Sequence, residues 1–189
     1  MKEEIGKYVI TGGPGVGKTA TILALAKRGF SIGEEAARKV IEKELEKTKG
    51  IVTWKNVGKR QEKILSLQLR LEKKAEEKAR KAKGKKKNIF FDRGIPDGIA
   101  YFKIAKEKIP KKLLEESKKS KRHYKKVFFL EPVPYKKDNV RKEPQKIAKK
   151  IHKLIFQTYK RLGYEIVRVP LMSVLERAKF IERAIKNGD

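Results

Sequence analysis

A parallel β-sheet flanked by α-helices is the fold class this sequence predicts, on three observations. Five short apolar runs alternate with stretches of helical periodicity. A glycine-rich segment joins the first run to the first helical stretch. The length, 189 residues, suits one domain spanning 1–189 with a core of its own.

The elements follow in order. Residues 7–11 form the first run and residues 20–27 the first helix, with the glycines between them. The second run is 30–33 and the third 89–92. Between these, Ile64, Leu67, Leu71, Ala75, Ala79 and Ala82 recur at steps of three or four, which predicts a long helix with one packed face and a wet Lys/Glu face. The segment Gly84-Lys85-Lys86-Lys87 reads as a helix terminus and short loop. Residues 127–130 are the fourth run. After it, the polar, proline-started stretch 131–145 is the candidate closing lid, with a plain surface loop as the alternative. Ile147, Ile151, Leu154, Ile155 and Tyr159 mark a helix over 143–162 that Gly163 ends. Residues 165–169 are the fifth run, and Val174, Ala178, Ile181 and Ile185 mark the last helix.

Composition narrows the chemistry. There is no Cys, which removes disulfides, thiolate metal sites and cysteine nucleophiles and fits an intracellular setting. The two histidines, His123 and His152, are expected to face solvent. No apolar run approaches membrane-spanning length, so a cytoplasmic protein is expected. With 51 Lys+Arg against 23 Asp+Glu the formal net charge is +28. Two Lys-rich blocks, 73–87 and 118–126, carry much of the excess. They read as solvated faces or as contacts for nucleic acid or an anionic lipid surface, without the interleaved aromatic residues that stack on single strands.

The most informative segment is Gly12-Gly13-Pro14-Gly15-Val16-Gly17-Lys18-Thr19, followed by Ala20. It is a complete G-x-x-x-x-G-K-[ST] pattern in its required context of strand, loop and helix, and it predicts a site for a nucleoside triphosphate, ATP or GTP. Glycines let successive N–H groups turn inward around phosphates. Lys18 supplies a point charge for the β- and γ-phosphates, and Thr19 a hydroxyl for Mg²⁺ at the positive end of the helix.

The third run delivers Asp92 to the same sheet edge, as a metal ligand or a base for an acceptor hydroxyl. Hydrolytic ATPases place a second carboxylate after this acid, whereas this chain has Arg93 there. Phosphoryl transfer is therefore favoured over hydrolysis, and a guanidinium beside the metal carboxylate is suited to clamping a phosphate; a structural ion pair to Asp97 or Glu35 is the alternative. Glu35 and Arg38 share a helix face near the second strand. They suit an acceptor's hydroxyl and anion, or form an ordinary i,i+3 pair. Trp54 is either an acceptor-stacking ring or a packing aromatic.

The phosphate loop, Glu35-Ala36-Ala37-Arg38, Phe90-Phe91-Asp92-Arg93-Gly94-Ile95-Pro96-Asp97, and the tail with Tyr159, Gly163-Tyr164 and Val169-Pro170 resemble the nicotinamide-riboside-kinase-like AAA-type ATP/GTP-binding domain family of P-loop kinases across essentially the whole chain. That resemblance implies a three-layer αβα P-loop fold of nucleoside/nucleotide-kinase type on a five-stranded parallel sheet. It implies an Asp-Arg acceptor pair at Asp92 and Arg93, and matches Asp138 with Arg141 in the lid, where Arg141 is the candidate for the transferring phosphoryl group, with Lys136 and Lys137 as weaker options. The chain departs from the family in its Lys content and in Glu131-Pro132 at the lid's start. The expectation is a Mg²⁺-dependent phosphotransferase acting on a small-molecule acceptor. The alternatives are a nucleotide-dependent module engaging an anionic membrane or partner, and a polynucleotide end kinase.

Overall fold

A computed structural model of the chain describes residues 4–47, 56–132 and 145–186. Trp54, Lys136, Lys137, Asp138 and Arg141 lie outside the described residues, as does all of the candidate lid except Glu131, Pro132 and Gln145.

Five parallel strands form one sheet: β1 (Gly6–Thr11), β2 (Ser31–Ile32), β3 (Asn88–Asp92), β4 (Tyr124–Leu130) and β5 (Ile166–Val169), in the order β2-β3-β1-β4-β5. The helices are α1 (Lys18–Lys27), α2 (Ala36–Lys47), α3 (Val57–Arg80), α4 (Asp97–Ala105), α5 (Lys111–Ser120), α6 (Gln145–Arg161) and α7 (Val174–Lys186). The lysine-rich segment Gly84–Lys87 is a turn of 3₁₀ helix.

The strands are apolar on both faces because both faces are covered. Alternate side chains sort into two cores. Val9, Ile89, Phe91, Val127 and Phe129 point toward α3, α4 and α6, where they meet Leu65, Ile99, Ile151 and Ile155. Tyr8, Ile10, Phe90, Phe128 and Val169 point the other way, onto Ile22 and Leu25 of α1 and Ala178 and Ile181 of α7. This is the expected three-layer αβα arrangement. α2 lies outside it, with Ala36 and Ala37 against Ile64 of α3.

Strand bounds differ from the apolar runs in one instructive place. β4 begins at Tyr124, earlier than the run at 127–130, because Lys125 and Lys126 stay in the strand while their ammonium groups reach out to Glu4 (3.0 Å) and to the Ala184 carbonyl (2.9 Å). Gly163 closes α6 as expected, at φ 70°, with its N–H on the Lys160 carbonyl and the Tyr164 N–H on Tyr159.

The order of strands decides where a ligand can sit. From β1 the chain moves to β3 and β2 on one side and to β4 and β5 on the other, so the crevice at the carboxyl end of β1 is the switch point of the sheet. The glycine-rich loop opens there. Ile10 pairs with Asp92 in the adjacent β3, which brings the acid level with the loop.

Candidate functional site

The phosphate loop runs from the end of β1 to the start of α1. Gly17, at φ 89°, is the N-cap of α1, and its carbonyl takes both the N–H (3.0 Å) and the hydroxyl (2.9 Å) of Thr21. No acidic residue occupies the first turn of α1, so the positive end of the helix is uncompensated and free to face an anion. Lys18 is 8 % exposed and folds back over the loop, where its ammonium donates to the carbonyls of Gly12 (3.1 Å) and Gly13 (2.8 Å). Burial, then the nearby Arg93 charge, lowers its pKa to about 8. Pro14 and Gly15 are half-buried along the loop, Val16 is buried and Ala20 faces solvent.

Two of the loop glycines are required by packing. A Cβ on Gly12 would stand 3.1 Å from the Leu130 carbonyl; one on Gly13 would stand 2.8 Å from His152 Cβ and 3.1 Å from the Ala148 carbonyl. The loop therefore rests on β4 and α6. The Gly13 N–H donates to His152 Nδ1 (3.0 Å), and the imidazole lies 4.4 Å, centroid to centroid, from Phe129. Burial lowers the His152 pKa, which keeps the ring neutral and able to accept. This corrects one expectation: His123 is exposed, but His152 is half-buried against the phosphate loop, because α6 turns that side of Ile151 and Ile155 toward the sheet.

Arg177 of α7 holds the loop from behind. It is 1 % exposed, and its guanidinium donates to the carbonyls of Val16 (2.6 Å) and Glu131 (3.0 Å), tying the loop to the end of β4.

Across the mouth of the loop, Thr19 Oγ1 donates to Asp92 Oδ2 at 3.1 Å. The other oxygen, Asp92 Oδ1, is buried without a hydrogen-bond partner. A hydroxyl and a bare carboxylate oxygen side by side form a donor set suited to Mg²⁺, an ion that takes one or two protein ligands and completes its shell with phosphate and water. Among the described residues no group of three or more His, Asp or Glu side chains is placed to hold a metal ion.

Arg93 follows in the left-handed region at φ 72°. A non-glycine residue there costs about 1–2 kcal/mol, and the surroundings enforce it. Its N–H donates to the Ile10 carbonyl (3.0 Å), Nη1 donates to the Tyr101 hydroxyl (2.8 Å), and its carbon lies 5.2 Å from the Tyr101 ring centroid. Glu35 is half-buried nearby; burial, then the Asp92 charge, raises its pKa. Arg38 pairs with Glu35 at 3.5 Å and is otherwise exposed. The structure thus brings Lys18, Thr19, Asp92, Arg93 and Glu35 together and leaves Arg38 at the rim.

Two buried acids brace this cluster. Asp97, 3 % exposed at the start of α4, accepts from Thr11 Oγ1 and the Tyr159 hydroxyl, both at 2.7 Å. Glu72 of α3 accepts from the Tyr124 hydroxyl (2.7 Å) and from Gln68 Nε2 (2.9 Å). Gln68 Nε2 also donates to the Arg93 carbonyl (3.3 Å), and the Tyr124 oxygen accepts the Ile95 N–H (3.4 Å). Burial raises the pKa of both acids. The turn after β3 is thereby fixed from α3 and β4. The sequence reading did not assign Glu72, His152 and Arg177 to the site. Their signal was a polar residue among apolar neighbours: Glu72 is seven residues from both Leu65 and Ala79, and Arg177 is set between Val174 and Ile181.

Comparison with known proteins bears on the family and the fold. Residues 7–177 match the family described as AAA domain. No curated protein matches the sequence. Among solved structures, NadR protein in complex with NR is similar at 16 % identity and TM-score 0.66, over 96 % of this chain and 51 % of that one. Deoxyadenosine kinase from M. mycoides gives 16 % and 0.60, over 96 % and 99 %. Thymidylate kinase from Candida albicans gives 14 % and 0.61, over 97 % and 92 %. The chain spans about half the length of the NadR chain, and at these identities the likeness is one of fold. With the family match covering most of its length and its motifs in the expected places, the chain belongs to the AAA domain family, carried on a P-loop kinase fold.

Proposed function

We propose that the protein is a Mg²⁺-dependent phosphotransferase that moves the terminal phosphoryl group of ATP or GTP to a small acceptor bearing a hydroxyl or phosphate. One observation carries the reading: the Thr19–Asp92 pair with a carboxylate oxygen left bare, followed by a braced arginine where a hydrolase would place a second acid. The likeness in fold to a deoxyadenosine kinase and a thymidylate kinase supports a nucleoside- or nucleotide-sized acceptor.

In this reading the loop amides and Lys18 hold the β- and γ-phosphates. Thr19 and Asp92 hold Mg²⁺, which when bound offsets the charge on the phosphate oxygens. Arg93 orients the acceptor or its phosphate. The cavity behind Arg93, between α3 and α4, is about 10 Å³, room for a single water, so an acceptor reaches the guanidinium from the Glu35 and Asp92 side. The raised pKa of Glu35 suits it to receive a hydroxyl proton there. Arg38 meets an acceptor anion at the rim, Arg141 meets the transferring group, and the segment 131–145 closes over both. Leu171, Val174 and Leu175, exposed apolar side chains after β5, offer a resting place for the nucleotide base.

The test is incubation of a metabolite extract with the enzyme and γ-labelled ATP, with products identified by mass spectrometry. Labelled product is expected from wild type and none from folded Lys18→Ala; turnover retained by that variant overturns the assignment.

A further inference from the structure

We propose a second anion site at the opposite edge of the sheet, built to take a ligand of chained phosphates. The two Lys-rich blocks of the sequence have no part in the catalytic cluster, yet the fold brings their ends together. A groove of about 530 Å³ opens at the amino edge of the sheet, lined by Lys7 of β1, Arg80 at the end of α3, Lys87 just before β3, Arg122 and His123 in the turn before β4, and Lys125 of β4. Five Lys or Arg side chains there face two carboxylates, Glu4 and Glu76.

Those carboxylates pair with three of the five cations. Glu76 binds Lys7 (2.5 Å) and Arg80 (2.7 Å), and Glu4 binds Lys125 (3.0 Å). Lys7 is only 13 % exposed, a positive charge fixed in the wall of the groove. A cation held in this way loses little freedom on binding a ligand, and with five Lys or Arg against two carboxylates the described lining is positive overall. His123 adds an imidazole to the same wall.

Among the described residues the lining contains no Phe, Tyr or Trp to stack on a base, so recognition there falls to the phosphates. The volume is that of an ordinary small-molecule pocket. The rise of β1 from Lys7 to Gly12 sets the groove about 15 Å from the phosphate loop, beyond the reach of a triphosphate bound there. The chemistry is that of inorganic oligophosphate and of a nucleic-acid backbone alike.

Calorimetry with tripolyphosphate, in the Lys18→Ala background to silence the phosphate loop, tests the site independently of turnover. One site is expected, weakened about tenfold between about 50 and 200 mM salt. Arg122→Gln with Lys125→Gln should weaken it at least about tenfold, whereas Lys43→Gln with Lys179→Gln, an equal loss of charge on α2 and α7, should leave it within about twofold. An oligonucleotide that binds far more tightly than tripolyphosphate, and loses that advantage in the groove variant, assigns the site to nucleic acid; equal or weaker binding assigns it to small oligophosphates. Absence of tripolyphosphate binding, or equal weakening by the two double variants, overturns the proposal.

Discussion

Thr19 Oγ1 and Asp92 Oδ2 lie 3.1 Å apart and join the first turn of α1 to the end of β3, so the two strongest motifs in the chain meet in one hydrogen bond. Asp92→Asn keeps the size and an acceptor for Thr19 but removes the charge a divalent ion needs. Calorimetry with and without Mg²⁺ should show nucleotide binding in the absence of metal within about threefold of wild type, and the increment due to Mg²⁺ reduced at least about tenfold.

Lys18 in the free protein titrates near pH 8, and a bound polyphosphate restores its charge. Nucleotide binding should therefore take up about half a proton at pH 8, more at pH 9 and almost none at pH 6.5. The slope of observed enthalpy against buffer ionisation enthalpy reads this directly. Stability follows the same sign. Between about 8 and 10.5 the unfolded chain holds the extra proton, so this residue makes the free protein more stable as pH rises through that window.

Glu72 is buried, and burial raises its pKa, so the folded protein holds its proton above the pH at which the unfolded chain releases it. Its contribution is greatest in acid and declines as pH rises from the ordinary carboxylate range. Glu72→Gln keeps an oxygen for Tyr124 and Gln68 and has no proton to lose. Urea denaturation should find the variant close to wild type near pH 5 and gaining stability relative to wild type as pH rises to 8.

Gly13→Ala drives a methyl group into His152 Cβ and the Ala148 carbonyl, and backbone cannot step aside as a side chain would. The variant should lose about 1–3 kcal/mol of stability and bind nucleotide at least about tenfold more weakly, measured by thermal unfolding and by titration.

How far the sequence could be read depended on whether an element declares itself locally. The phosphate loop carries its geometry in its own residues, and Asp92 stands at the end of an apolar run, so both were legible. The strand order was not: the pairing of β1 with both β3 and β4 rests on contacts between residues about eighty to one hundred and twenty apart. The brace behind Arg93 was hidden for a related reason. Glu72, Tyr124 and Gln68 lie on two elements, and only the fold makes them neighbours. Arg177 looked like one more cation in a basic helix, and its position on the apolar face became informative once its carbonyl partners were known. The lid residues Asp138 and Arg141 fall outside the described residues.

The two carbonyl bonds of Lys18 have a consequence for selectivity. A neutral amine has two hydrogens, and both already have partners in Gly12 and Gly13. Protonation adds a third hydrogen, whose direction is dictated by the first two. The empty loop thus behaves as a preset socket: below about pH 8 its last hydrogen is already in place for the arriving anion, and above it the anion's own field draws that proton on. A guanidinium, flat and wider, has no equivalent way to seat itself, and Lys18→Arg should be as inert as Lys18→Ala.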